Sequence, residues 1–401
     1  MGHIIKGVKI VKETKGEVNE GGYASWPRIL EINTNNGLFK TPTKIVTSQE
    51  LNSKAYLGSE IDLPGEISLI DKGSLNYDKL NSLMQDNKKV ETFIRDSKKH
   101  RRRMYHFQLR MLYLYPSVRP TFRINRDGTK EKIPSGIDYF NERENKSSQF
   151  IDLLKEIADK TEIETVVIPA LTHKADLQKK IFDYAINAID KGTFKEVIPV
   201  LDLNEKTTSV ERLVDALLKE HVDTGLIKAI GVKNSFADSS TTTRALISNK
   251  LVDKEVFVPI FSIDKCTHDR VSGINKQSVF FGDAFAPRFV PGYKNEDQTE
   301  YEPSFMDTKT LKVMEGINNG PDSFSSQIIN ELRAKFGIDY DDIHDDIQRF
   351  IENSNARENI TKISAIARLH YAIFAQEEIL KLRSMIPNNY TKYKLERVLL
   401  Y

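Results

Sequence analysis

Val256 to Arg270 reads VFVPIFSIDKCTHDR. Up to Ile263 the residues are, apart from Ser262, apolar and largely β-branched or aromatic. That is the composition of a strand covered on both faces. The character then changes at once to Asp264, Lys265, Cys266, Thr267 and His268. In a parallel α/β fold ligands gather where strands end, so Asp264 is a candidate functional carboxylate. A helix cap or a loop ion pair is the competing reading of that position.

Working backwards, the same unit repeats. Helices are expected at Ser148 to Lys160, Asp176 to Lys191, Ser209 to Val222 and Thr241 to Leu251. Strands are expected at Thr165 to Ala170, Lys195 to Leu201 and Leu226 to Val232, with Val256 to Ile263 as the fourth. Alternation at this spacing means βα units and a parallel sheet. No Gly-x-Gly-x-x-Gly fingerprint follows any strand, which favours a closed barrel over an open dinucleotide-binding sheet. The polar residues at the strand ends are Thr172, His173, Asp202, Asn204, Lys233, Asn234, Asp264 and His268. In a barrel they converge on one face, and the convergence is a stronger signal than any one of them.

The N-terminal part reads as β structure. Ile4 to Val11 alternates, Ile29 to Asn33 is a short strand, and Gly37 to Val46 follows an Asn35-Asn36-Gly37 turn. Ile67 to Ile70 is a short apolar run ending in Asp71, Lys72 and Gly73. It repeats the theme of strand, carboxylate and Gly-containing loop.

Leu80 to Tyr115 is expected to be mostly helical, with Arg95, Lys99, Arg102, His106 and Arg110 in one sector. Phe93, Met104, Phe107, Met111 and Leu114 lie opposite, and Lys98, Arg101 and Arg103 add to the basic side. That side is either a solvated amphipathic face or a phosphate-contacting stripe. Thr121 to Ile133 reads as a hairpin around Asp127-Gly128. Phe280 to Tyr301 is irregular, residues 305–352 form an acidic segment expected to be helical, and Glu358 to Ile386 is a long closing helix.

Bulk properties bound the function. The 401 residues are 39% hydrophobic and 29% charged, enough for a sizeable core. Net charge is +2, so affinity for nucleic acid must come from local clustering. A single cysteine, Cys266, excludes an internal disulfide and a Cys-rich zinc site. No apolar run is long enough to span a bilayer and no signal-peptide core is seen, so a cytoplasmic protein that does not engage membranes is expected. The expected fold class is α/β: a (β/α)8 TIM-like barrel with N-terminal β additions and a C-terminal helical segment. Residues 1–50 are the N-terminal β segment, 51–300 the barrel with an inserted basic helix at 80–115, and 301–401 the helical segment packed upon it.

Three separated stretches, in order, resemble the tRNA-guanine transglycosylase superfamily. GLFKTPTKIV (Gly37 to Val46) is similar to the family's opening Gly-x-hydrophobic-x-Thr-Pro segment. LIDKGSLNY (Leu69 to Tyr77) is similar to the stretch carrying its Asp-Ser-Gly-Gly motif, here Asp71-Lys72-Gly73-Ser74. IGVKN, a helix, and FSIDKCTHDR resemble its nucleophile region, and IARLHYAIFAQEEILKLRSMI resembles its closing helix. The Gln-Gly-Gly strand end is replaced by Ala170-Leu171-Thr172-His173, and the Cys-x-Cys-x-x-Cys zinc motif is absent. Loss of the zinc motif points towards the DNA-modifying, DpdA-type relatives, which insert a 7-deazaguanine into DNA.

The resemblance implies a base exchange in DNA, or in tRNA, without backbone cleavage. It implies Asp264 as the nucleophile on the sugar and Asp71 as the acid/base, buried enough to hold a proton. His173, Asp202, Lys233 and His268 are the candidate substrate contacts. Arg95, Lys99, Arg102, Arg103 and Arg110 are the candidate nucleic-acid contacts. No cofactor and no metal are implied; the partners are nucleic acid and the 7-deazaguanine base. Two other classes stay open: a non-catalytic barrel that binds nucleic acid, and a metal-dependent hydrolase built on His173, Asp202, Asp264 and His268.

Overall fold

Eight parallel strands close on themselves, and a three-stranded antiparallel sheet plugs one end. The computed structural model describes residues 3–13, 28–57, 63, 65–101, 106–125, 128–190, 195–233, 241–261, 282–286, 292–294, 301–306, 313–315, 330, 334 and 357–386. The plug consists of β1 (Ile5–Glu13), β2 (Arg28–Thr34) and β3 (Gly37–Lys40). The chain then enters the barrel at β4 (Thr43–Thr47), turns through α1 (Ser48–Leu57), and returns as β5 (Ile67–Leu75). Helices α2 (Tyr77–Gln85) and α3 (Asn87–Arg101) lead to β6 (Leu109–Pro116).

A hairpin, β7 (Thr121–Ile124) and β8 (Lys130–Ile133), follows, as the Asp-Gly turn signal leads one to expect. Then come α4 (Gly136–Glu142), α5 (Lys146–Thr161) and β9 (Thr165–Ile168). The regular units are α6 (Ala175–Asp190), β10 (Glu196–Asp202), α7 (Thr207–Thr224), β11 (Gly231–Lys233), α8 (Thr241–Leu251), β12 (Pro259–Phe261) and β13 (Ala284–Phe285). Beyond the barrel lie β14 (Gly292–Lys294), β15 (Tyr301–Met306), β16 (Val313–Glu315) and α9 (Arg357–Met385). The strand order round the barrel is β4, β5, β6, β9, β10, β11, β12, β13 and back to β4. This is a (β/α)8 barrel.

Period-2 alternation sorts each barrel strand into two faces. Ile45, Leu69, Met111, Val167, Ile198, Val200 and Phe257 point inward and pack together. Val46, Ile70, Leu112, Val166, Val197, Val232 and Ile260 point outward into the helical layer. Both faces being covered is why these strands read as continuous apolar runs. The plug shares the inner cluster: Ile4, Ile5, Val8, Leu30, Ile32 and Phe39 join it, and Phe39 meets Phe257 edge to face at 6.0 Å.

Polar ties to buried carboxylates help to fix the plug. Glu196, buried at the start of β10, accepts the Ile5 amide at 3.1 Å. Arg28 donates to both carboxylate oxygens of Asp283 at 3.0 and 2.7 Å, and to the carbonyls of Leu251, Val252, Lys254 and Val256. Asp283 also accepts the Val258 amide, so this buried pair is fully hydrogen-bonded. With the N-terminal end plugged, chemistry is directed to the C-terminal end.

Several expectations are corrected. Leu80 to Tyr115 is not one helix: α3 stops at Arg101 and the chain re-enters the barrel as β6. MLYLY is apolar all round because it is a buried strand, not because it continues an amphipathic helix. Within the segment read as irregular, Ala284–Phe285 closes the barrel by pairing with β12 and β4. At its start the acidic 305–352 segment is not helical, since β15 reaches Met306 and β16 covers Val313–Glu315. Its acidic run, Asp341, Asp342, Asp345 and Asp346, lies outside the described residues. The closing helix α9 packs on α1, β4 and β15, and buried Gln376 accepts the Lys44 amide at 2.8 Å.

Candidate active site at the C-terminal end of the barrel

Asp71 sits near the end of β5, paired in register with Tyr113 of β6. The register slips between Asp71 and Ser74, and Gly73 takes φ +71°, the left-handed value that a bulge of this kind asks for. The Asp71 carboxylate Oδ1 accepts the hydroxyl of Ser48, the first residue of α1. The same hydroxyl lies 3.0 Å from the Asp71 carbonyl. Asp71 is half-buried rather than sealed, as an acid/base serving an incoming base requires.

Tyr113 and Tyr115 alternate inward from β6, their rings 4.9 Å apart, and Tyr113 also lies 4.9 Å from the Phe261 ring of β12. Gly231 on β11 makes this possible. A Cβ there would stand 2.8 Å from Phe261 Cε2 and 2.9 Å from Val200 Cγ2. The Tyr113 hydroxyl is buried and has no hydrogen-bond partner among the described residues. Burial pushes its pKa well above the ordinary value, and the charges of Tyr115, Asp202 and Asp71 push the same way. Two carboxylates from different strands thus bear on one phenol.

Asp202 ends β10 directly beside Lys233 of β11. Lys233 Nζ stands 3.4 Å from Asp202 Oδ2, with both side chains buried. Asp202 Oδ1 accepts the Asn204 amide at 3.0 Å, and Lys233 Nζ has no hydrogen-bond partner among the described residues. An inward ammonium and an inward carboxylate, beside aromatic rings, form a polar pair able to hold a flat, amide-like ligand edge.

His173 follows β9 and is half-exposed; its Nδ1 pairs with Glu205 of the next loop. The loop that carries His173 is held by Gln178, which sequence reasoning missed. Its Oε1 accepts the Leu171 and Thr172 amides at 2.8 and 3.3 Å, and its Nε2 donates to the Pro169 carbonyl. Thr172 in turn donates to Asn141 at 2.8 Å. Ser48, Tyr113, Tyr115 and Glu205 were also missed. The two tyrosines were hidden by the helical reading of β6, and no sequence signal marks the others.

Asp264 and His268 lie outside the described residues, Asp264 three positions past the end of β12 at Phe261. Arg102 and Arg103 also lie outside them. Arg110 does not share a face with Arg95 and Lys99. It sits near the start of β6, largely buried, 3.7 Å from Glu164. Arg95 and Lys99 are exposed on α3, each within 4.0 Å of Asp96. With Glu91, Ile94, Lys98 and Lys160 they line a groove of about 460 Å³ between α3 and α5. The end of α3 leads to the start of β6, where Gln108 and Leu109 donate to the Glu66 carbonyl. The groove therefore lies on the outer wall, towards the plugged end.

Among the described residues no three His, Cys, Asp or Glu side chains stand close enough to hold a metal ion, and no helix is long and apolar enough to cross a membrane. No protein-family model matches the chain, and no curated protein is significantly similar to it.

Proposed function

We propose that this protein is a base-exchanging transglycosylase, replacing guanine in nucleic acid by a 7-deazaguanine, with DNA the favoured substrate. The observation that carries the reading is the seat of Asp71: half-buried, hydrogen-bonded by Ser48, and on the C-terminal half of a barrel plugged at its other end. The motif resemblance at Gly37 to Val46 and Leu69 to Tyr77 supports it.

In this reading Asp264 attacks the anomeric carbon, the bond from sugar to guanine breaks, and a covalent glycosyl intermediate forms. Asp71 delivers a proton to the departing guanine, then removes one from the incoming 7-deazaguanine as its ring nitrogen attacks the anomeric carbon and releases the Asp264 carboxylate. The layer of Tyr113, Tyr115 and Phe261, buried in the barrel interior, forms the floor beneath the base. Lys233 donates to its carbonyl, and Asp202 accepts from its N–H groups. His173, oriented by Glu205, and His268 contact the substrate at the rim. The target base must leave the stack to enter. Arg95 and Lys99 act on phosphates distant from the reacting sugar.

A guanine-containing DNA strand, and separately a tRNA, incubated with the protein and quenched in denaturant should yield a covalent protein–nucleic acid adduct. Asp264→Asn should yield none while folding normally. Tight binding without any adduct would instead favour a non-catalytic nucleic-acid-binding barrel, the reading to which the exposed basic residues of α3 also lend themselves.

A further inference from the structure

We infer that the outward face of the β7–β8 hairpin seats a single-stranded stretch of nucleic acid, Phe122 stacking on a base and Lys130 and Lys132 holding phosphates. The choice of partner rests on the base-exchange reading; the shape and charge of the hairpin do not.

The hairpin stands at the reactive end of the barrel. It leaves β6 just after Pro116, where the Ser117 amide donates to the Leu75 carbonyl at 2.8 Å. Asn76 donates to Thr121 Oγ1 at 3.1 Å, and Arg123 reaches Asp78 at 2.6 Å. These ties hold it over the end of β5, four residues past Asp71.

The pairing register sorts the hairpin into two faces. Thr121 faces Ile133 and Arg123 faces Glu131 on one side. These are the residues that tie the hairpin down: Ile133 is buried, Thr121 meets Asn76, and Arg123 bridges Asp78 and Glu131. Phe122 faces Lys132 on the other side, with Lys130 one pair further along. Phe122 is 66% exposed. Lys130 and Lys132 are exposed and make no ion pair among the described residues. From Val118 to Ile133 five Arg and Lys residues stand against two acids.

An exposed aromatic ring beside two lysines that make no ion pair among the described residues matches the two needs of a single strand, a π-face for a base and positive charge for its backbone. A paired duplex hides its base faces, so the hairpin selects the strand already opened around a flipped base. The α3 groove lacks this position, since it lies towards the plugged end.

Binding of a labelled single-stranded, guanine-containing oligonucleotide is measured over a salt series for wild type, Phe122→Ala, Phe122→Tyr and the Lys130→Glu/Lys132→Glu double variant. Melting temperature serves as the folding check. Phe122→Ala should weaken binding roughly 5- to 150-fold, the loss of one stacked base. Phe122→Tyr should restore it. The double variant should lower the salt slope by about 1.4, at about 0.7 per phosphate. Wild-type affinity in Phe122→Ala overturns the inference, as does Phe122-dependent binding to anionic lipid vesicles but not to the oligonucleotide. Adduct formation, scored in parallel, separates the two readings. An adduct with unaltered hairpin variants sinks the hairpin alone; hairpin-dependent binding without an adduct sinks the base exchange alone.

Discussion

Lys233 Nζ lies 3.4 Å from Asp202 Oδ2, inside the barrel, with the two side chains 2% and 1% exposed. The residues are far apart in sequence, yet the parallel register of β10 and β11 sets them side by side. A charge in that position is stable only while its partner is there. The pair is therefore a structural tie between β10 and β11.

Replacing one member exposes that dependence. Lys233→Met should cost about 3–5 kcal/mol, because the buried Asp202 carboxylate loses the ammonium 3.4 Å away. Adding Asp202→Asn should recover part of the loss. Urea unfolding of the single and double variants measures both effects; an additive double variant would mean that the two groups do not interact.

Asp71 is expected to act in chemistry rather than in folding. Asp71→Asn retains an oxygen to accept the Ser48 hydroxyl. Its stability should change little, while single-turnover base exchange falls by about 10²- to 10⁴-fold. Ser48→Ala should lower the rate less and shift its pH profile. An Asp71→Asn variant that exchanges at the wild-type rate removes Asp71 from the mechanism.

Gly231 tests the packing beneath the site. Its missing side chain leaves room for the Phe261 ring and for Val200. Gly231→Ala should destabilise by about 1–3 kcal/mol through overpacking. Thermal melting reports the cost, and a neutral change would show that Phe261 has another place to go.

The plug carries a pH dependence. The neighbouring Glu196 carboxylate raises the pKa of His3, whose Nδ1 is 3.7 Å from Glu196 Oε2, and burial raises that of Glu196 itself. Both groups hold protons more tightly folded than unfolded. Each adds stability that is complete below its unfolded pKa and is withdrawn as pH rises through its folded pKa. Stability should therefore decline as pH climbs from the ordinary carboxylate range and on past the ordinary histidine range. His3→Gln should remove the upper part of that decline, as read by denaturant midpoints across the pH series.

Much of the barrel was legible because buried parallel strands leave a distinctive trace. TVVI, EVIPVLD and VFVPIF are apolar on both faces, and amphipathic helices separate them. The trace failed in two places. The β6 run follows a basic helix without a break, and a short apolar run does not distinguish a buried strand from more helix. Ala284–Phe285 is too short to show any period. In the candidate site, Asp71, His173, Asp202 and Lys233 were legible as polar residues at the ends of apolar runs. Ser48, Tyr113 and Gln178 were not, because each matters only through a partner on another element.

The chain's own order of apolar and polar residues determined the βα rhythm, the hairpin around Asp127-Gly128 and the strand-end carboxylates, since period and turn chemistry are local properties. Tertiary structure alone decided which end of the barrel is plugged, through Arg28 with Asp283 and Ile5 with Glu196. It alone carried Arg110 away from Arg95, and brought Asp71 and Asp202 to bear on one tyrosine. Those outcomes depend on sheet closure and register, which arise between segments distant in sequence and leave no mark within either one.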